Sequence, residues 1–239
     1  MMSLEKHIKI LFENIKLENN IDFFKLWKDT FKIVNPSKSL DLNNMNTAIR
    51  INKSLYLCKY FIFAKDLKGD FLECGVLKGF SSYLLRSLED QLFKDTIYNY
   101  FLVDSFEGLS DFLNEDKPLN PDIIQNKKGD LKANIEDVEI LFKQFKNVNI
   151  IKGWIPKVFE SLDENNKYKF VHIDVDLYQP TFDTLNYIYD KVVKGGIIIT
   201  DDYRSSLFPG NQKAWEKYFN SKNVRSLSLP SGQAVVIKE

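Results

Sequence analysis

Four carboxylates close two apolar runs in the C-terminal half of this 239-residue chain. Asp174 and Asp176 end FVHIDVD, and Asp201 and Asp202 end GGIIITDD. Carboxylates repel one another and lose solvation among apolar neighbours, so acids placed this way need something that offsets their charge. As hard oxygen donors they suit magnesium, calcium or manganese rather than zinc or copper. A carboxylate here can also take a proton from a reacting group. Asp176 follows Asp174 by two, the strand period that keeps two side chains on one side, which makes it a candidate base. It fits equally well as the cap of a helix starting at Leu177. Asp201 and Asp202 are adjacent. In a regular strand they point to opposite faces, and both can meet one ion only if the chain turns there.

The elements that carry these acids follow from the spacing of apolar residues. From Gly69 onward, short apolar runs alternate with helical patterns. Strands are expected at DFLECGV, YNYFLVDS, VNIIKGW, KFVHIDVD and GGIIITDD. Helices are expected over Ser81–Phe93, Asn134–Lys146, Ile155–Leu162, Leu177–Val193 and Asn211–Asn220. A polar stretch from Phe106 to Gly129 reads as a long loop, and VRSLSLPSGQAVVIKE reads as a closing hairpin with its turn at LPSG. Strands and helices alternating in this way argue for an α/β, mostly parallel sheet of the doubly wound, Rossmann-like kind. Such sheets bind ligands at the C-terminal ends of their strands, where the acids fall. Before Gly69 the pattern is helical: Leu4, Ile8, Leu11, Phe12 and Ile15, then Phe23, Phe24, Trp27, Phe31 and Val34, then about Ala48–Ala64. Residues 1–65 are therefore read as a helical appendage to a domain at 66–239. The aromatic stripes there read as core, or as the contact of a homo-oligomer.

The turn after the first strand, ECGVLKGFSS, supplies a second candidate site. Gly75 and Gly79 let the backbone approach a ligand and adopt positive φ, and Ser81 and Ser82 can cap the next helix. The spacing is not that of the dinucleotide fingerprint, and Glu73 disfavours a pyrophosphate. Asp104, at the end of YFLVD, can accept hydrogen bonds from both hydroxyls of a ribose. Together Glu73, Gly75 and Asp104 suit an adenosine that carries a positive group and no phosphates. S-adenosylmethionine, a sulfonium, is the natural match.

Bulk properties exclude several classes. Lys+Arg and Asp+Glu balance at 33 each, so no basic field points to nucleic acid or to an anionic membrane. The N-terminal segment is broken by charges and shows no signal-peptide pattern, and no apolar run approaches a membrane span. Cys58 and Cys74 form no CxxC pair, and Cys74 reads as a buried strand thiol. The setting expected is cytoplasmic and reducing.

ECGVLKGFSS, VDSFEGL, NIIKGW, HIDVDLYQPT, GGIIITDDY and PGNQKAWEKYF occur in the order found in the macrocin O-methyltransferase (TylF-type) family, which this chain resembles from about Asn46 to its C-terminus. The resemblance implies a class I methyltransferase fold with a seven-stranded sheet ending in an antiparallel hairpin. It implies S-adenosylmethionine as donor, a divalent cation, usually Mg2+, and a small-molecule acceptor hydroxyl on a sugar or glycoside. Carried over by position, the metal carboxylates would be Asp174, Asp201 and Asp202. Glu73, Gly75, Gly79 and Ser81 would belong to the donor turn, Asp104 to the ribose, and Gly153 and Trp154 to the adenine. Beside these carried-over positions, the reading of the residues themselves gives catalysis to Asp174 and Asp176, with Tyr178 and Arg204 near the substrate. Some sugar-modifying members carry a catalytic histidine in the long loop after the second strand. Residues 105–150 hold none here, and the two histidines of the chain are His7 and His172. His172, in the strand before Asp174, reads as a packed, hydrogen-bonded residue. Two other readings compete: an Asp-x-Asp glycosyltransferase using DVD, and a non-catalytic methyltransferase-like interaction subunit.

Overall fold

The computed structural model describes residues 2–93 and 98–239. The chain divides into two compact units, one of Met1–Phe63 and Gly79–Ile97, the other of Ala64–Lys78 and Tyr98–Glu239. The helix that follows the first strand thus groups with the N-terminal helices.

The first unit contains α1 (Leu4–Phe12), α2 (Phe23–Val34), α3 (Met45–Phe63) and α4 (Phe80–Leu92). Ser3 caps α1 by accepting from the Lys6 amide, and Asp22 caps α2 by accepting from the Lys25 amide. Ile8, Phe23, Phe24, Trp27, Ile51 and Phe61 are buried. Trp27 donates its indole N–H to Ser54 Oγ at 3.1 Å and tilts against Phe80. The aromatic stripes of α2 are thus core of this unit.

The second unit contains β1 (Asp70–Cys74), β2 (Tyr100–Asp104), α5 (Ile135–Phe142), β3 (Val148–Lys152), β4 (Tyr168–Ile173), α6 (Tyr178–Ile188), β5 (Val192–Thr200), α7 (Pro209–Ser221), β6 (Leu227–Ser228) and β7 (Ala234–Ile237). They form a seven-stranded sheet of order β3-β2-β1-β4-β5-β7-β6. β1 to β5 are parallel, β7 pairs antiparallel with β5, and β6 pairs antiparallel with β7. Strand order reverses between β1 and β4, so the crevice of this fold opens where those two strands end. Leu72, Val171, Ile173 and Ile198 of the sheet share one core with Leu185 and Ile188 of α6 and Trp215 and Phe219 of α7.

Some expected elements shrink. The segment Ile155–Leu162 forms only a 3-10 turn at Lys157–Ser161, and α6 gives way to another at Tyr189–Lys191 before β5 begins at Val192. α7 starts two residues early because Pro209 occupies its first turn, where no amide donor is needed.

Candidate active site

The turn after β1 is built by a close approach of strand ends. Gly75 has φ 90°, and a Cβ there would overlap the Asp174 carbonyl. Its amide donates to Val103 O at 2.9 Å, while the Asp174 amide donates to Cys74 O at 2.8 Å. Only glycine fits, and the turn therefore lies directly against the start of the acidic segment. Asp104 organises the same turn. Its Oδ2 accepts from the Val76 and Leu77 amides at 2.7 and 2.8 Å, and its Oδ1 accepts from the Phe106 amide at 2.6 Å. The Gly153 amide donates to Asp104 O, which sets Trp154, 40% exposed, beside the end of β2. Gly79 and Ser81 belong to the first unit. Gly79 is the N-cap of α4 with φ 77°, and Ser81 is half-buried in the first turn of that helix.

Glu73 does not face the turn. It is buried inside β1, where its Oε1 lies 2.8 Å from His172 Nδ1. His172 Nε2 lies 3.6 Å from Asp201 Oδ1. Burial alone would lower the His172 pKa, but Asp201 and Glu73 outweigh it and raise the pKa to about 10. Glu73, expected to meet a cationic ligand, is paired with His172 within the sheet. The reading of His172 as a packed strand residue agrees with this geometry.

The four acids separate into three and one. Carboxylate oxygens of Asp174, Asp176 and Asp202 lie within 4.8 Å of one another. Asp201 stands apart from that group. Its Oδ1 accepts from Gln233 Nε2 at 2.7 Å. The reason is in the backbone. The Asp201 amide donates to Ile173 O at 3.0 Å, the bond that closes the last β4–β5 pair, Ile173 with Thr200. The turn that would bring Asp201 and Asp202 together comes too late, and strand alternation keeps them apart. The group contains Asp174 and Asp202 of the three acids implied by the resemblance, together with Asp176.

Asp176 reaches the group through a left-handed backbone, φ 59°, a conformation that costs a non-glycine residue about 1–3 kcal/mol. It does not cap α6. The N-cap Leu177 has no side-chain cap, and the Tyr178 amide donates to Asp116 Oδ1 at 2.7 Å. Burial, then the charges of Asp202 and Asp174, hold the Asp176 pKa well above the carboxylate range. Oxygens around one hard cation sit about 4–5 Å apart at most, so the three carboxylates fit such an ion, and its charge would relieve the crowding that raises Asp176. Tyr178 is buried against Phe182, with Lys217 over its ring, while Arg204 is exposed and donates its amide to Gly232 O. Asp116 and Gln233 are the site residues that sequence reasoning missed.

This sheet order, with its antiparallel β7 and a glycine turn at the β1–β4 reversal, is the class I methyltransferase fold. The fold of the solved O-methyltransferase NovP is similar, with a TM-score of 0.67 at 18% identity over 98% of this chain and 97% of that one. The macrocin-O-methyltransferase (TylF) family matches residues 42–229, and the chain belongs to that family. Two curated relatives are each 26% identical. One, from Streptomyces olivaceus, is 8-demethyl-8-(2,3-dimethoxy-alpha-L-rhamnosyl)-tetracenomycin-C 4'-O-methyltransferase, matched over 63% of this chain and 59% of that protein. The other, from Streptomyces niveus, is demethyldecarbamoylnovobiocin O-methyltransferase, matched over 67% of this chain and 63% of that protein. The chain thus spans about three fifths of the length of the curated relatives it matches.

Proposed function

We propose that this protein is an S-adenosylmethionine-dependent O-methyltransferase that acts on a hydroxyl of a sugar or glycoside. The observation that carries the reading is the contact between the Gly75 turn and the Asp174 segment, which puts a donor turn beside three grouped carboxylates. The tetracenomycin relative named above, which acts on a rhamnosyl compound, supports a sugar-bearing acceptor.

S-adenosylmethionine would supply the methyl group as a sulfonium. Gly75 would leave room for it, Asp104, which holds the turn, would face its ribose, and Gly153 and Trp154 would border its adenine. Gly79 and Ser81 join this set on the family resemblance. A divalent cation, magnesium by the same resemblance, would lower the pKa of an acceptor hydroxyl and offset the repulsion of the acids. Asp174, Asp176 and Asp202 would hold it, and Asp201, held by Gln233 and beside His172, would support the group without ligating. Asp176 is also the proposed base, since a carboxylate grouped with Asp174 and Asp202 would stand beside a hydroxyl bound there and could take its proton. Holding oxygen and methyl in line supplies much of the rate in such a reaction. The homo-oligomer and the cytoplasmic setting belong to this proposal; no described helix is long and apolar enough to cross a membrane.

The test is methyl transfer from labelled S-adenosylmethionine to a panel of sugars, glycosides and nucleotide sugars, with and without Mg2+. Labelled product that disappears on chelation and returns with Mg2+ is expected. Failure of the protein to bind the donor would sink the activity, and transfer that survives full metal removal would sink the cation.

A further inference from the structure

One buried acid of the second unit lies outside the group of carboxylates. Asp116 sits in the long loop after β2, is fully buried, and is 62 positions from its partner in α6. Its Oδ1 accepts from the Tyr178 amide at 2.7 Å, and its Oδ2 accepts from the Leu113 amide at 2.8 Å. Its own carbonyl accepts from Gln125 Nε2, which also donates to Leu207 O. The first turn of a helix presents amides that need acceptors, and α6 has none from its own N-cap. The loop therefore brings the cap to the helix that starts two residues after Asp176.

The PGN segment at the start of α7 locks this contact. A Cβ on Gly210 would overlap Asp116 Oδ1 and meet the Tyr178 amide nitrogen at 2.8 Å, so nothing larger than glycine fits. Asn211, also buried, donates to Thr200 Oγ1 at 2.9 Å and to Thr181 Oγ1 at 3.3 Å. Thr200 in turn donates to Ile173 O at 3.2 Å. These bonds join α6, α7 and the ends of β4 and β5, the elements that carry the acids. Leu109, Phe112, Leu177 and Phe208 form an apolar cluster beside them. The loop is thus held at Leu109, Phe112, Asp116 and Gln125.

We propose that Asp116 is a positioning residue: by capping α6 from the loop, it leaves Asp176 free of that duty and holds it beside Asp174 and Asp202. This rests on the cation reading given above. If Asp176 capped α6 itself, as an acid just before a helix commonly does, its carboxylate would turn toward the Tyr178 amide and leave the group.

The test uses Mn2+ as a probe, titrated by electron paramagnetic resonance into the full chain, with S-adenosylhomocysteine binding measured by calorimetry. Asp116→Ala is expected to weaken Mn2+ about 10–100-fold, the usual cost of losing a residue that orients a metal ligand. S-adenosylhomocysteine affinity should stay within about twofold. Asp116→Asn should restore most of the Mn2+ affinity, because its amide oxygen can still accept from Tyr178. If Asp116→Ala does not fold, Gly210→Ala perturbs the same contact without removing the acid and is expected to weaken Mn2+ in the same sense. Wild type that binds Mn2+, with a folded Asp116→Ala or Gly210→Ala that binds it equally well, overturns this inference alone. Wild type that binds no Mn2+ overturns the cation reading and this inference with it.

Discussion

The two acid pairs at the strand ends behave in opposite ways. Just after β4, Asp174 and Asp176 are separated by Val175, and the left-handed Asp176 brings their carboxylates together. After β5, Asp201 and Asp202 are adjacent, and the Asp201 amide still bonds to the end of β4 while its carboxylate accepts from Gln233. What decides the grouping of charged side chains is therefore where the backbone leaves the sheet, not how close they stand in sequence. The same rule governs Glu73, which shares the turn in sequence but lies one residue too early and so stays inside the sheet, paired with His172.

The contrast can be broken first at Asp202. Asp202→Asn removes a member of the grouped three, and turnover is expected to fall about a hundredfold to a thousandfold while donor binding persists. Steady-state kinetics with calorimetric donor titration will read both. Asp201→Asn should do less, about tenfold to a hundredfold in cation affinity, because it loosens a support rather than a ligand. Equal losses from the two substitutions would erase the distinction. Gln233→Ala should be milder still, a several-fold loss of cation affinity on the scale of other residues that orient ligands, since His172 remains beside Asp201.

The smallest expected effect lies in the pH dependence of stability. The His172 pKa is raised from 6.5 to about 10, so the folded chain holds that proton more tightly than the unfolded one. Its stabilisation is whole below about pH 6.5 and is lost as pH rises through about 10. Denaturant melts between those values should show declining stability, and Glu73→Gln should make the decline shallower. A flat profile would mean that the imidazole is neutral within the sheet.

Much of the fold was legible because each strand and helix carries its own period. The five parallel strands, the closing hairpin and the long loop fall where apolar spacing puts them. What the sequence hid were features set by contacts across the chain. The capping amide of Tyr178 finds Asp116 from 62 positions away, and Asp201 finds Gln233 from 32. A local reading assigns the cap to Asp176 because it is the nearest acid. The signal that could have corrected it is PGN, whose glycine has no role in a helix start unless something must come close. The shortened segment at Lys157–Ser161 shows the other limit, since a few residues of helical pattern do not distinguish a helix from a single tight turn.

The division of the four acids is tested most directly by a crystal structure of the protein grown with Mn2+ and S-adenosylhomocysteine, with the ion located by its anomalous scattering. The account predicts one ion bound by Asp174, Asp176 and Asp202, with Asp201 still accepting from Gln233. An ion ligated by Asp201 with Asp176 outside its coordination sphere would contradict it.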